Sequence, residues 1–136
     1  TKQLDFAVLA SALGVESVRI IDPYDIKMTR TVMKEELDKP GPSVVISNRP
    51  CVLFKRHQTA PKKPLWADPD KCIGCRACIG LGCPPISWKK FEDMPEHEIR
   101  KNAKKQEGHS VIDQNLCNGC TVCQQLCKTG AIREGD

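Results

Sequence analysis

The chain has 136 residues, a formal net charge of +4 and 28% charged residues, the two signs interspersed. That balance forms no stripe of basic and aromatic side chains, which argues against nucleic acid, and no apolar run approaches the roughly 18 residues of a membrane span. Aromatic residues make up only 4% of the chain, too few for one large core, so part of the structure must be stapled by something other than packing.

Residues 4–13 are predicted as an amphipathic helix: Phe6, Leu9, Ala10 and Leu13 share one face, and Gly14 supplies the left-handed stop. Val18-Arg19-Ile20-Ile21, ended by Asp22-Pro23, suits a buried parallel strand. Asp25 can cap a second helix running to about Leu37, with Val32, Met33 and Leu37 on one face. After Pro40-Gly41-Pro42, Ser43-Val44-Val45-Ile46-Ser47 reads as another buried strand, stopped by Pro50. Helix, strand, helix, strand is part of a wound α/β sheet, and two strands leave its edges and faces wanting partners. A chain that begins this way, without Met, is expected to be a fragment of something longer.

Arg49 and Cys51 follow the second strand, where α/β sheets collect ligands. Either lines a cofactor site, or Cys51 is a buried structural thiol beside a surface arginine; the second is the expectation. Residues 55–64, polar and punctuated by proline, read as a linker that includes a solvated His57. Leu65-Trp66-Ala67-Asp68 then leads into the cysteine-rich part, with Trp66 expected to pack on it.

Eight of the nine cysteines fall in two arrays, Cys72-Ile-Gly-Cys75-Arg-Ala-Cys78-Ile-Gly-Leu-Gly-Cys83 and Cys117-Asn-Gly-Cys120-Thr-Val-Cys123-Gln-Gln-Leu-Cys127. Cysteines three apart, three in a row, let one tight loop wrap a cubane and offer thiolates to three of its irons. In such patterns the fourth cysteine ligates the other cluster. The expected sets are therefore Cys72, Cys75, Cys78 and Cys127 on one [4Fe–4S] centre and Cys117, Cys120, Cys123 and Cys83 on the other. The arrays form an internal repeat at an offset of 45 residues, with Asp68, Gly74 and the first three cysteines falling on Asp113, Gly119 and their counterparts. Gly74 and Gly119 sit where a side chain would crowd the cluster and a positive φ is expected.

Zinc is the plainer alternative, since paired cysteines also bind it, but a third cysteine three residues on, twice over, has no use there. A disulfide framework would pack thiols too densely for sensible pairing. Thiols loaded with iron and sulfide imply a reducing interior, hence the cytoplasm. Lys71, Arg76 and Lys128 flank the ligands and either tune an anionic cluster or form ordinary solvated surface. Between the arrays, Trp88 to His109 is rich in both charges, with a short exposed helix expected from Pro95 to Lys105. It reads as a solvated excursion, His97 and His109 with it, rather than a docking surface. Ser110 to Asp113 and Ala131-Ile132 read as small strands bracketing the second array.

The order of these parts, with Pro-Gly-Pro-Ser-Val-Val-Ile-Ser-Asn-Arg-Pro-Cys-Val-Leu ahead of the linker and the arrays, resembles the C-terminal part of the alpha-subunit family of indolepyruvate ferredoxin oxidoreductases. The resemblance implies an α/β fragment over residues 1–54, the tail of a wound parallel-sheet thiamine-diphosphate domain. A linker over 55–64 and an α+β two-cluster ferredoxin-like domain over 65–136 would follow. It further implies an anaerobic oxidoreductase that decarboxylates aryl pyruvates such as indolepyruvate on thiamine diphosphate and Mg2+ with coenzyme A. Electrons would pass through the clusters to an external ferredoxin, in partnership with a beta subunit. The related alternatives are a stand-alone ferredoxin-type carrier and the cluster module of another 2-oxoacid enzyme, such as a pyruvate one. No Gly-Asp-Gly…Asn stretch for magnesium and diphosphate occurs, so no catalytic or thiamine-binding residue is assigned. Lys128 stands where such arrays often carry proline, and the stretch between the arrays is longer than the family form.

Overall fold

A computed structural model describes residues 3–54, 63–94 and 106–135. The expected linker and His57 lie almost wholly outside these residues, as do the Pro95–Lys105 helix and His97. The chain divides into two compact units at Cys51–Val52.

In the first unit Asp5 caps helix α1 (Phe6–Ala12), its carboxylate accepting from the N–H groups of Ala7 and Val8. Gly14, at φ 86°, turns the chain away into strand β1 (Ser17–Ile21). Asp25 caps helix α2 (Ile26–Leu37) by accepting from Met28 N–H. Strand β2 (Ser43–Ser47) then pairs with β1 in parallel, Ser17 opposite Ser43 through Ile21 opposite Ser47. The two strands are half-buried, not buried on both faces as the sequence suggested, because among the described residues this sheet has two strands. The same shortage of cover corrects the helix faces. Of the apolar stripe on α1 only Ala10 is buried, while Phe6, Leu9 and Leu13 are exposed. On α2, Val32 is buried, but Met33 and Leu37 are exposed and the charged Glu36 is buried instead. Arg19 and Lys39 pair with that carboxylate and Ser17 donates to it, which compensates its loss of water.

The second unit is built from two short antiparallel ladders. Strand β3 (Leu65–Ala67), ahead of the first array, pairs with β6 (Ile132–Glu134), behind the second. Strand β4 (Ile86–Lys90), behind the first array, pairs with β5 (Gly108–Ile112), ahead of the second. Each ladder thus joins the entry of one array to the exit of the other. Both are extended by one equivalent bond, Asp68 N–H to the Ala131 carbonyl and Asp113 N–H to the Pro85 carbonyl. Short helix α3 (Val122–Leu126) carries Cys123, the third cysteine of the second array. The core is small and contains sulfur: Leu65, Ala67, Cys78, Ile112, Cys123 and Ile132.

The β4–β5 ladder overturns the reading of Trp88 to His109 as wholly solvated. Trp88 lies in β4 opposite Ser110, and His109 is buried, its ring 5.7 Å from that of Phe91. Gly108 has to be glycine there, because a Cβ would fall 2.2 Å from the Lys89 carbonyl oxygen. Trp66 does pack within the module, its ring N–H donating to the Glu134 carbonyl at 3.2 Å under the guanidinium of Arg133.

Candidate iron–sulfur centres

Each array folds into the same loop. Asp68 and Asp113 open it in the same way: their carboxylates accept from Asp70 and Asn115 N–H, and their carbonyls from Cys72 and Cys117 N–H, at 3.0 Å in both cases. Two residues then take the left-handed conformation at equivalent places, Gly74 and Arg76 in the first loop, Gly119 and Thr121 in the second, with φ between 57° and 68°. For glycine this is free; for Arg76 and a β-branched Thr121 it costs about 1–2 kcal/mol each. The same strain is thus held twice, at matching positions of the repeat. A Cβ at Gly74 would sit in van der Waals contact with Gly108 and Trp88, at 3.4 Å from each, so the positive φ is what calls for glycine there.

The first three cysteines of one array and the fourth of the other come together. Cys72, Cys75, Cys78 and Cys127 line one cavity, whose remaining walls are largely apolar, Ala67, Ile73 and Ala131 among them, with Arg76 and Lys128 at its edge. Cys83, Cys117, Cys120 and Cys123 form the second group, close enough to act on one another's ionisation. Burial pushes the Cys123 thiol up to about 12, helped by Cys120, Cys117 and Cys83. Burial, with Cys120 and Cys117, raises Cys83 as well. Among the described residues no three of His, Cys, Asp or Glu converge on a point as a single metal ion would require. Cys72, Cys75, Cys78 and Cys127 line a cavity instead. Four thiols crowded in an apolar setting fit a cationic iron core, which deprotonates its sulfur ligands and removes their mutual repulsion.

The two groups differ in their hydrogen bonds. Cys78 and Ser110 are both buried, with 3.1 Å between Sγ and Oγ. At Cys127 burial pushes the thiol up. Backbone N–H groups of Ile132, Ala131 and Thr129 and the Thr129 hydroxyl outweigh that, leaving it below its ordinary range. In the second group Leu65 N–H donates to Cys117 Sγ at 3.3 Å. Sequence reading missed Ser110 as anything but a strand residue, although its place in the repeat, opposite Leu65, could have singled it out.

Of the three cations named beside the arrays, Lys71 and Lys128 are exposed. Arg76 is more than solvated surface: its guanidinium lies 4.3 Å from the Trp88 ring centre and pairs with Glu107. Cys51 is exposed rather than buried. Arg49 nearby pairs with Asp22 and sits over the Tyr24 ring.

Residues 64–128 match the 4Fe-4S dicluster domain. The chain is 34% identical to indolepyruvate oxidoreductase subunit IorA of Pyrococcus horikoshii, over 99% of this chain and 20% of that protein. Its identity to the same subunit of Thermococcus kodakarensis is 36%, again over 99% of this chain and 20% of the relative. The chain is similar to IorA subunits over almost its whole length. It spans about one fifth of the length of the curated relatives it matches. A narrower likeness, 28% over 53% of this chain and 11% of the relative, links it to the H(2):CoB-CoM heterodisulfide,ferredoxin reductase of Methanothermobacter thermautotrophicus, through one of that enzyme's subunits. Among the described residues no helix is long and apolar enough to cross a membrane.

Proposed function

We propose that this chain carries two [4Fe–4S] clusters, one on Cys72, Cys75, Cys78 and Cys127 and one on Cys117, Cys120, Cys123 and Cys83, and conducts electrons through them. The carrying observation is the exchange of fourth cysteines: Cys127, from the second array, lines the cavity of the first array's thiols. A pair of independent zinc knuckles would have no reason for that exchange. When bound, each cluster accepts and returns one electron. The residues hold and tune it: the left-handed loops aim the thiolates, and N–H and O–H donors stabilise charge on the sulfurs.

In the IorA setting the electrons come from oxidative decarboxylation of a 2-oxoacid, an aryl pyruvate such as indolepyruvate, on thiamine diphosphate and Mg2+ with coenzyme A. They leave to an external ferredoxin. We assign residues 1–54 to the tail of the thiamine-diphosphate domain, 55–64 to a linker and 65–136 to the ferredoxin-like domain. A beta subunit completes the enzyme, and a reducing, cytoplasmic compartment suits its thiols. Support comes from the IorA relationship and from the parallel β1–β2 unit ahead of the cluster domain.

The test is iron and acid-labile sulfide on anaerobically purified protein, with spectra before and after dithionite. About eight of each per chain and a brown colour bleached by reductant are expected; zinc without sulfide refutes the assignment. Upstream thiamine-binding residues and indolepyruvate-dependent ferredoxin reduction by the assembled enzyme test the wider reading.

A further inference from the structure

We propose that the Ser110 hydroxyl, seconded by that of Thr129, makes the site of Cys72, Cys75, Cys78 and Cys127 the higher-potential of the two electron sites, so that a single electron comes to rest there. The inference rests on the cluster assignment above.

The internal repeat isolates the effect. Cys78 and Cys123 are equivalent third cysteines, both buried, in equivalent loops. The residue set against them by the repeat is Ser110 in one half and Leu65 in the other, each at the same place in its strand relative to Asp113 and Asp68. Ser110 is 2% exposed with its Oγ 3.1 Å from Cys78 Sγ, whereas the Leu65 side chain offers only methyl groups and the one donor of that residue is its backbone N–H, 3.3 Å from Cys117 Sγ. The fourth cysteines diverge in the same sense. Cys127 is followed by Lys128-Thr129-Gly130, and Thr129 Oγ1 lies 3.7 Å from its sulfur. Cys83 is followed by Pro84-Pro85, which have neither hydroxyl nor N–H to give.

Toward a metal-bound thiolate only the hydroxyl can donate, so both side chains place a partial positive charge against sulfur. Ser110 and Thr129 thereby favour the oxidation state with more negative charge on the sulfurs, the reduced one. Hydrogen bonds to sulfur and local charge are the protein's levers on cluster potential, and bonds to charged groups are the strong ones. Arg76 and Lys128, at the edge of the same cavity, act in the same direction. A one-electron reductant supplies the electron, and no protein bond is made or broken.

The experiment is a mediated redox titration of the cluster-loaded chain, followed by electron paramagnetic resonance, on wild type, Ser110→Ala, Ser110→Thr and Thr129→Val. Wild type should show two midpoints. In S110A the higher one should fall, the reduced-to-oxidised ratio at fixed potential dropping about tenfold, or about 59 mV for one electron. S110T should restore it, T129V should lower the same midpoint by less, and the other midpoint should stay put. If S110A sheds iron, T129V and S110T carry the test, because Thr129 is exposed and S110T keeps the hydroxyl. Unmoved midpoints in variants with intact iron and sulfide overturn the inference, as does movement of the lower midpoint. Wild-type protein without sulfide overturns the cluster assignment itself, an outcome read before any variant is made.

Discussion

In the first unit large apolar side chains stand in the open, Val8 at 65%, Leu13 at 76% and Leu37 at 78% exposure, around a core of Ala10, Ile21 and Val32. In the second unit Leu65 and Ala131 are each 1% exposed and Ile132 is 3%, although its elements are shorter and its strands only three to five residues long. Apolar content does not explain the contrast. Connectivity does. In the second unit each ladder ties the entry of one array to the exit of the other, so short pieces close on one another from several sides. In the first, two parallel strands and two helices leave faces uncovered whatever their hydrophobicity. Burial therefore follows how many sides of an element are covered. In the second unit the cysteine sulfurs help fill the core.

Stripping the iron gives the widest test of that contrast. Metal binding at such sites is folding free energy, and chelation under anaerobic conditions should abolish amide protection in β3–β6 and β4–β5 while leaving β1–β2 as it was. Equal protection in the second unit before and after chelation would show that its packing stands without the clusters.

Truncation comes next in size. Leu65→Ala should cost about 2–5 kcal/mol, whereas Leu37→Ala, on an exposed helix end, should stay within about 0.5 kcal/mol. Denaturant titration of the loaded protein, followed by tryptophan fluorescence for the second unit and amide exchange for the first, distinguishes them. Comparable losses at both positions would contradict the exposure assigned to Leu37.

Glycine replacements sharpen the difference between a crowded and an open backbone. Gly108→Ala drives a Cβ into the Lys89 carbonyl and should destabilise the β4–β5 ladder by about 1–3 kcal/mol. Gly14→Ala meets open space and should lose only the roughly 1–2 kcal/mol of its left-handed conformation. A G108A variant with wild-type thermal stability would mean that β4 and β5 approach less closely.

The smallest effect lies in the first unit. Hydrogen bonds from Lys39 and Ser17, with the charges of Lys39 and Arg19, hold the Glu36 carboxyl below its usual value despite its burial. A carboxylate depressed in the folded state stabilises above its unfolded pKa, and that contribution is lost as pH falls through the folded one. Glu36→Gln should therefore melt slightly earlier than wild type at pH 7, the two converging in acid below the ordinary carboxylate range. A gap independent of pH would assign the role to packing.

Some features of this protein are written locally and were legible in the residues. Asp25 caps its helix because a short carboxylate reaches the N–H group three residues on. Gly74 and Gly119 take positive φ, as their places inside tight cysteine loops suggested. The division into an α/β leader and a cysteine-rich module follows from the same short-range patterns. Tertiary structure decided the rest. His109 and Glu36 are polar and buried, while Phe6, Leu13 and Cys51 are apolar or sulfur-bearing and exposed, since exposure depends on what another element places over a side chain. Likewise β4 was hidden in a charged stretch, because Trp88 and Lys89 become a strand only when Gly108 lets β5 come close. The difference between Ser110 and Leu65 is plain in the sequence, but only the fold sets that hydroxyl against a cysteine sulfur 32 residues away.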